Sequence, residues 1–405
     1  MPVLVYIRRS KEFDKAVLNF ARHELNAEDI LTISEYFNGD YRIDMNDSTL
    51  DDSPKAEAFI KTNLSLDKII FRDRVLRNTP LKDCLILIRR ATAGLLDIFE
   101  KNAFESLVIY PVDNYIMDIM VQVARSYGVK VYGVSNFFIS NYKRITTYGE
   151  HNQIREPSPN EVGEVVETLK GRFRSHMAPK RSKALKAAIF RYFKYKARFL
   201  LFYLVGAKLL GRKEYDLLAT PYNTSVREFL NFFVERHFKK LSEVEFLQNS
   251  IFIPLHYFPE ATIEYWSNDT KMVEFEDMIR CKVAELSSRY DQIILKEHPA
   301  TVYDNNNHFY TSLLKNPKVV FIDPFIATSE ILTSANIIGC WTGTIGIEAL
   351  VNGKQVEFFS EGQYYLNSKE THPEIYEVDG ELVSIKEPHI FVREILKGSI
   401  KIANS

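Results

Sequence analysis

The second half of this chain obeys a rule that few folds satisfy: strand and helix patterns alternate without exception. From residue 249 the strand SIFIPLHY gives way to a helical stretch over 269–289, then the strand QIILKEHP, a helix over 306–314, the strand KVVFID, a helix over 326–334, the strand NIIGC, a helix over 344–351 and the strand KQVEFF. Five strands joined through four helices by short connections predict a doubly wound parallel α/β sheet.

The first half follows the same grammar less strictly. VLVYI (3–7) opens it, an amphipathic segment over 13–25 follows, and after a polar section at 44–54 come helical stretches over 55–77 and 81–100. A complete βαβ unit comes next, with a strand at 107–110, a helix at 115–127 stopped by Gly128, and a strand at 130–134. A chain of 405 residues has room for two or three cores. The expected organisation is an N-terminal Rossmann-like domain at 1–165, a basic helical insertion and linker at 166–248, a second Rossmann-like domain at 249–385, and a tail at 386–405 whose helix, over 387–400, packs across both domains.

The insertion has an unusual composition. Residues 170–213 hold fourteen Lys or Arg and no Asp or Glu, with Phe190, Tyr192, Phe193, Tyr195, Phe199, Phe202 and Tyr203 interleaved. The stretch from Lys180 to Lys213 suits a membrane interface or an anionic polymer; the alternative is a helical excursion that docks its apolar face on the protein and leaves its charges solvated. The whole molecule argues for no polyanion, since 52 basic and 53 acidic residues leave a net charge of −1, and no nucleic-acid partner is expected. Cys84, Cys281 and Cys340 lie far apart without metal-ligand spacing, which points to a reducing compartment and no structural zinc. No signal-peptide pattern opens the sequence, and the longest apolar run, FLLFYLVGA at 199–207, falls short of the roughly 20 residues a spanning helix needs. A cytoplasmic protein is the expectation.

In an open parallel sheet, ligands bind at the carboxyl ends of the strands. Three such ends in the second half carry chemistry. The first is Pro254-Leu255-His256, running into Pro259-Glu260. The second is Lys296-Glu297-His298-Pro299, a cation and an imidazole with the following backbone restrained by proline. The third is Trp341-Thr342-Gly343-Thr344, which opens a helix carrying Glu348 about one turn in. Gly343 permits a tight strand-to-helix turn, the threonines offer hydroxyls, and the first-turn N–H groups suit a phosphate. Glu348 either accepts hydrogen bonds from ribose hydroxyls or complements the helix dipole. Neither GxxxxGK[ST] nor GxGxxG is present, which excludes a P-loop nucleotidase and counts against NAD or FAD.

The segments FIPLHYFPEAT, LKEHPA, NPKVVFIDP and ANIIGCWTGTIGIEALVNGKQVEFF, in that order, resemble the bacterial capsule polysaccharide biosynthesis glycosyltransferases, the group that includes the Kdo (3-deoxy-manno-octulosonic acid) transferases. The resemblance covers about 251–359, with Gly353-Lys354-Gln355-Val356 where the family has GKPV. In the first half it is loose, through 145–161, and Ser135, Asn136 and Phe137 stand where some members carry carboxylates. The resemblance implies the GT-B architecture: two Rossmann-like domains with parallel sheets facing a central cleft, donor nucleotide on the C-terminal domain and acceptor on the N-terminal one. It implies that Lys296, His298 and Pro299 engage the donor phosphate, that Thr342, Gly343 and Thr344 cradle it, and that Glu348 holds the ribose. Lys296 and His298 would also stabilise the leaving phosphate. No metal and no cofactor beyond the nucleotide-sugar donor is required.

Glycosyl transfer also needs a base or a nucleophile. Asp113, at the carboxyl end of the strand 107–110, Glu260 and His256 at the opposite lip, and Glu150 are the candidates. Asp113 reads equally as a helix cap, and Glu260 as a first-turn charge. The expected activity is transfer of a sugar, preferably a CMP-activated ulosonic acid such as Kdo or a nonulosonate, to a bacterial capsule, surface polysaccharide or lipid-linked acceptor. The basic stretch would hold the enzyme peripherally at the inner membrane. The alternatives are a UDP- or GDP-hexose donor, a non-catalytic nucleotide-sugar or glycan-binding protein, and a UDP-sugar epimerase.

Overall fold

The computed structural model describes the chain apart from residues 9–10, 36–37, 172–179, 213–218, 220–221, 258–263, 267–272, 304–306, 342, 361–372 and 403–405. Its strands form two seven-stranded sheets. The first contains β1 (Val3–Tyr6), β2 (Ile30–Ser34), β3 (Tyr41–Arg42), β4 (Ser106–Ile109), β5 (Lys130–Asn136), β6 (Tyr142–Ile145) and β14 (Ser399–Lys401), in the order β14-β6-β5-β4-β1-β2-β3. The second contains β7 (Ser250–Pro254), β8 (Gln292–Lys296), β9 (Val319–Ile322), β10 (Ile337–Cys340), β11 (Gln355–Phe358), β12 (Tyr376–Asp379) and β13 (Leu382–Ile385), in the order β12-β13-β11-β10-β7-β8-β9.

In each sheet five strands are parallel and two antiparallel strands extend one edge. Counted from its own first strand, each parallel set runs 3-2-1-4-5, so each has one switch point: between β1 and β4, and between β7 and β10. A crevice opens there because successive crossovers leave the strand ends in opposite directions. This doubly wound order is what the alternation in the sequence predicts, and it makes both halves Rossmann-like.

The central strands are buried on both faces. Phe252, Ile294 and Ile338 have no solvent exposure, and removing such a side chain from water contributes about 1.5–3 kcal/mol. Helix Tyr115–Ser126 is buried nearly all round, with Asn114 capping it by accepting the Met117 N–H at 2.9 Å. The three cysteines form no disulfide, and Cys84 and Cys340 are buried. No helix among the described residues is long and apolar enough to cross a membrane.

Helix boundaries depart from expectation where short polar breaks intervene. The stretch read at 55–77 divides into Pro54–Asn63, Leu66–Arg72 and a 3₁₀ turn at Leu76–Asn78, because Ser53 caps the first and Asp73 turns the chain after the second. The tail helix ends at Leu396, short of residue 400. Gly398 follows, and its carbonyl accepts the Ile145 N–H at 3.0 Å, so the chain becomes β14 and joins the first sheet. Helix Pro159–Lys170 lies with the second domain: Val162, Val165, Val166 and Leu169 share a core with Ile347, Leu350 and Phe391. The two halves therefore exchange elements, each lending one to the other.

Candidate active site

At the crevice of the second sheet, β7 ends in Pro254, Leu255 and His256, and β8 lies alongside with Lys296 opposite Pro254. From β10 the chain turns through Trp341 to Gly343 and enters helix Thr344–Val351. Gly343 has φ 103°, a conformation that L-residues with side chains avoid. A Cβ there would also lie 3.3 Å from Cε1 of His256. The turn thus requires glycine for its backbone and for its neighbour. Beyond it, the N–H groups of Thr344, Ile345 and Gly346 lack intrahelical acceptors and carry the positive end of the helix dipole.

Glu348 sits one turn into that helix and is only 4% exposed. Its Oε1 has no hydrogen-bond partner among the described residues. Burial pushes its carboxyl up to about 7, against the opposing pull of the Lys296 charge. A buried carboxylate oxygen without a donor is costly, and an arriving hydroxyl would relieve that cost. Lys296, itself buried, brings its charge to the same rim at the end of β8.

His298 is half-buried, and burial together with the Lys296 charge lowers its imidazole to about 4. The ring is therefore neutral at physiological pH. Its Nδ1 accepts the Ala300 N–H at 3.2 Å, which assigns the ring proton to Nε2 and makes that atom a donor. Burial, with His298 as a second charge, lowers His256 to about 3. His256 meets Trp341 edge-on, with ring centroids 6.4 Å apart.

Glu297 holds the His298 loop in place, a role the sequence reading did not assign. It is fully buried, accepting the His298 N–H at 3.1 Å through Oε1 and the Tyr310 hydroxyl at 3.2 Å through Oε2. Pro299 is buried behind it. The structure thus brings together Lys296, His298, Pro299, His256, Gly343, Thr344 and Glu348. Thr342 and Glu260 lie outside the described residues.

In the first sheet, Asp113 does stand beside the β1–β4 switch point, as expected. Its carboxylate is nevertheless engaged by the Arg8 guanidinium: Arg8 Nη1 donates to Oδ2 at 2.7 Å and Nη2 to Oδ1. Asn114, not Asp113, caps the following helix. Glu150 is tied into its own turn, where Oε1 accepts the Thr147 N–H at 2.7 Å and Oε2 accepts the Tyr148 N–H at 2.6 Å. Burial raises its carboxyl, but these backbone bonds outweigh that and hold it below the ordinary range. Both carboxylates are structural partners here. The sequence reading overlooked Glu35, after β2, which accepts the Tyr6 hydroxyl at 2.8 Å and whose carboxyl burial pushes up. Its signal was weak, because strand β2 itself was not read from the sequence.

The two carboxyl edges are joined. The Tyr265 hydroxyl, on the segment following β7, donates to Asp73 Oδ2 at 2.9 Å, and the same oxygen accepts the Tyr115 N–H at 2.9 Å where the helix after β4 begins. Next to it, buried Glu264 pairs with Arg74 at 2.6 Å and Arg77 at 2.9 Å. Gly149 packs so closely on Trp266 that a Cβ would stand 2.7 Å from the Trp266 Cβ. The segment after β7 therefore docks beside the start of the helix that follows β4. Among the described residues, the close carboxylate cluster Glu285, Glu357 and Glu381 lies elsewhere and is threaded by Arg289. Asp51 pairs with Arg90 at 2.5 Å.

Residues 212–368 match the family model described as capsule polysaccharide biosynthesis protein. No curated protein matches the chain. Among solved structures, a beta Kdo 2,7 transferase, KpsC of Thermosulfurimonas dismutans, is 16% identical, with 76% of this chain and 82% of that chain covered and a TM-score of 0.36. UDP-GlcNAc 2-epimerase of Methanocaldococcus jannaschii, in complex with UDP-GlcNAc and UDP, is 12% identical over 98% of this chain and 91% of that one, with a TM-score of 0.28. The Neisseria meningitidis UDP-GlcNAc 2-epimerase bound to UDP-GlcNAc is 12% identical over 97% and 90%, with a TM-score of 0.31. Likenesses this distant do not bear on chemistry. The segment that builds the β7–β10 crevice is thus similar to the capsule polysaccharide biosynthesis proteins, the family its motifs resemble.

Proposed function

We propose that this chain is a glycosyltransferase of bacterial capsule or surface-polysaccharide assembly, with a nucleotide-sugar donor at the β7–β10 crevice and an acceptor at the β1–β4 edge. The observation that carries the donor site is Glu348: a buried carboxylate oxygen lacking a donor among the described residues, one turn into a helix and beside a buried lysine. The geometry matches a nucleotide in three parts. The helix N-terminus takes a phosphate, Glu348 accepts from ribose hydroxyls, and Lys296 supplies the counter-charge.

During transfer, the bond between the anomeric carbon and the phosphate oxygen breaks, and negative charge grows on the phosphate. His298, neutral with its proton on Nε2, donates to that oxygen without needing prior protonation, and Lys296 stabilises the same charge. On the acceptor side, Glu35 is the better base. Its carboxyl is pushed up by burial and therefore takes a proton more readily than an ordinary carboxylate, whereas both Asp113 oxygens are occupied by Arg8. The preferred donor is a CMP-activated ulosonic acid, such as Kdo or a nonulosonate, as the sequence resemblance implies; the acceptor is a surface polysaccharide or a lipid-linked glycan. No metal is assigned a role. The enzyme works at the cytoplasmic face of the inner membrane, held there peripherally by the stretch from Lys180 to Lys213.

Incubation of the purified protein with CMP-Kdo or a CMP-nonulosonate and a lipid-linked acceptor tests this reading. Acceptor-dependent release of CMP supports it; turnover of a UDP-sugar without acceptor would replace it with an epimerase.

A further inference from the structure

The insertion forms a long helical arm. Helix Arg181–Leu200 continues without interruption into a wider π-helical segment, Leu201–Leu209. The base of the arm is docked on the second domain. Ala184 and Ala188 are buried in the core that contains Ile253 and Val283, and Arg181 pairs with Glu235 at 2.8 Å and with Asp323. Twenty residues of α-helix span about 30 Å, enough to carry the far end well away from that anchorage.

That far end is apolar and uncovered. Leu200, Leu201, Leu204, Val205, Leu209 and Leu210 are 40–78% exposed. Of the 22 large hydrophobic residues exposed among the described residues, 13 fall between Ile189 and Phe233, so the exposure is concentrated in this excursion. Cations flank it. Lys183, Lys186 and Lys194 are exposed and make no ion pair among the described residues, and Lys208 and Arg212 stand exposed at the far end. Apolar residues beyond a band of exposed lysines complement an anionic bilayer, whose headgroups attract lysines and whose acyl boundary accepts leucines. A second copy of this chain would bring the same cations together and be repelled.

We propose that Leu200–Leu210 inserts into the interface of an anionic bilayer while Lys183, Lys186 and Lys194 bind its headgroups. This rests on the peripheral membrane attachment proposed above and assigns it two separable parts. Because Lys183 and Lys186 stand at the docked base and the leucines about 30 Å along the helix, the arm would lie along the surface and bring the second domain against the membrane where a lipid-linked acceptor lies.

The experiment is flotation of the full chain with vesicles of phosphatidylglycerol and phosphatidylethanolamine, with pure phosphatidylcholine for comparison. Three proteins are compared: wild type, Leu204→Ser/Leu209→Ser/Leu210→Ser, and Lys183→Glu/Lys186→Glu/Lys194→Glu. Wild type should float with the anionic vesicles and resist salt. The leucine variant should bind at low salt only, with partitioning at 0.5 M salt reduced roughly tenfold or more, since each buried leucine contributes a large share of binding. The lysine variant should bind more weakly than wild type at low salt and approach wild type at 0.5 M salt, where the headgroup charge is screened. An unchanged thermal shift with mononucleotide shows that the variants fold and separates loss of the arm from failure of the donor-site reading. Wild type failing to float, the leucine variant floating like wild type at high salt, or wild type forming a dimer that the leucine variant abolishes would each overturn the proposal.

Discussion

Tyr265 and Asp73, 192 residues apart, share a 2.9 Å hydrogen bond that ties the segment after β7 to the helix that follows β4. Both residues are buried, so the bond is made away from water and its loss is not replaced by solvent. Tyr265→Phe should lower stability by about 1–2 kcal/mol, read as a reduced denaturant midpoint. Because the contact sets the relation of the two edges and not the donor crevice, nucleotide affinity should stay near wild type while kcat/KM for transfer falls.

Glu348 makes stability and function oppose each other. Its carboxyl is raised from 4.5 to about 7, so the folded state binds a proton more tightly than the unfolded state, and stability falls as pH rises through that window. Glu348→Gln removes the titration. The variant should gain on the order of 1–3 kcal/mol over wild type at pH 8 and show a flatter profile between pH 5 and pH 8 in denaturant titrations. It should also lose at least tenfold in nucleotide affinity, because an amide is a weaker acceptor for ribose hydroxyls than a carboxylate.

The two histidines act at the acid end with the opposite sign. His256 and His298 are held neutral to about 3 and about 4, below the ordinary 6.5, so the unfolded chain takes up protons first and stability falls as pH drops from about 6.5 through those values. His298→Gln should weaken that acid limb by one group. The same variant should reduce kcat by about 10²-fold or more through loss of the hydrogen bond that Nε2 donates to the leaving phosphate, with the fold retained by circular dichroism.

Gly343→Ala tests the turn. The left-handed φ costs a side chain about 1–2 kcal/mol, and the added methyl would press on His256. A fall of several degrees in melting temperature together with loss of the mononucleotide-induced shift is the expected outcome. Normal nucleotide binding would place the phosphate elsewhere.

Glu35→Gln and Asp113→Asn separate the two acceptor-side carboxylates. The first should lower kcat steeply with little change in thermal stability. The second breaks the Arg8 pair and should lower stability as well, leaving Arg8 with its charge poorly compensated. Melting curves and transfer rates measured on the same preparations distinguish them.

The second domain was legible because its strands are buried on both faces and read as continuous apolar runs, while Gly343 and the KEHP strand end mark where the chain must turn. The first domain was legible only in part. Strand β2 carries Thr32 and Ser34 among its apolar residues and lies near the sheet edge, so its pattern is weak, and Glu35 was missed with it. The engagement of Asp113 by Arg8 and of Glu150 by its own turn depends on residues 105 positions away or on loop geometry, neither of which spacing along a chain reveals. The tail strand β14 was read as helix because the apolar period continues to Ile400, but Gly398 and the unpaired edge of β6 decide otherwise.

The most direct measurement is calorimetric titration of wild type and Glu348→Gln with CMP, CDP, UMP, UDP, GDP and ADP. Wild type should bind CMP selectively, with affinity at least tenfold weaker in the variant. Selective UDP or GDP binding would move the donor to a hexose, and equal CMP binding by both proteins, or none by wild type, would contradict a donor nucleotide held at Glu348.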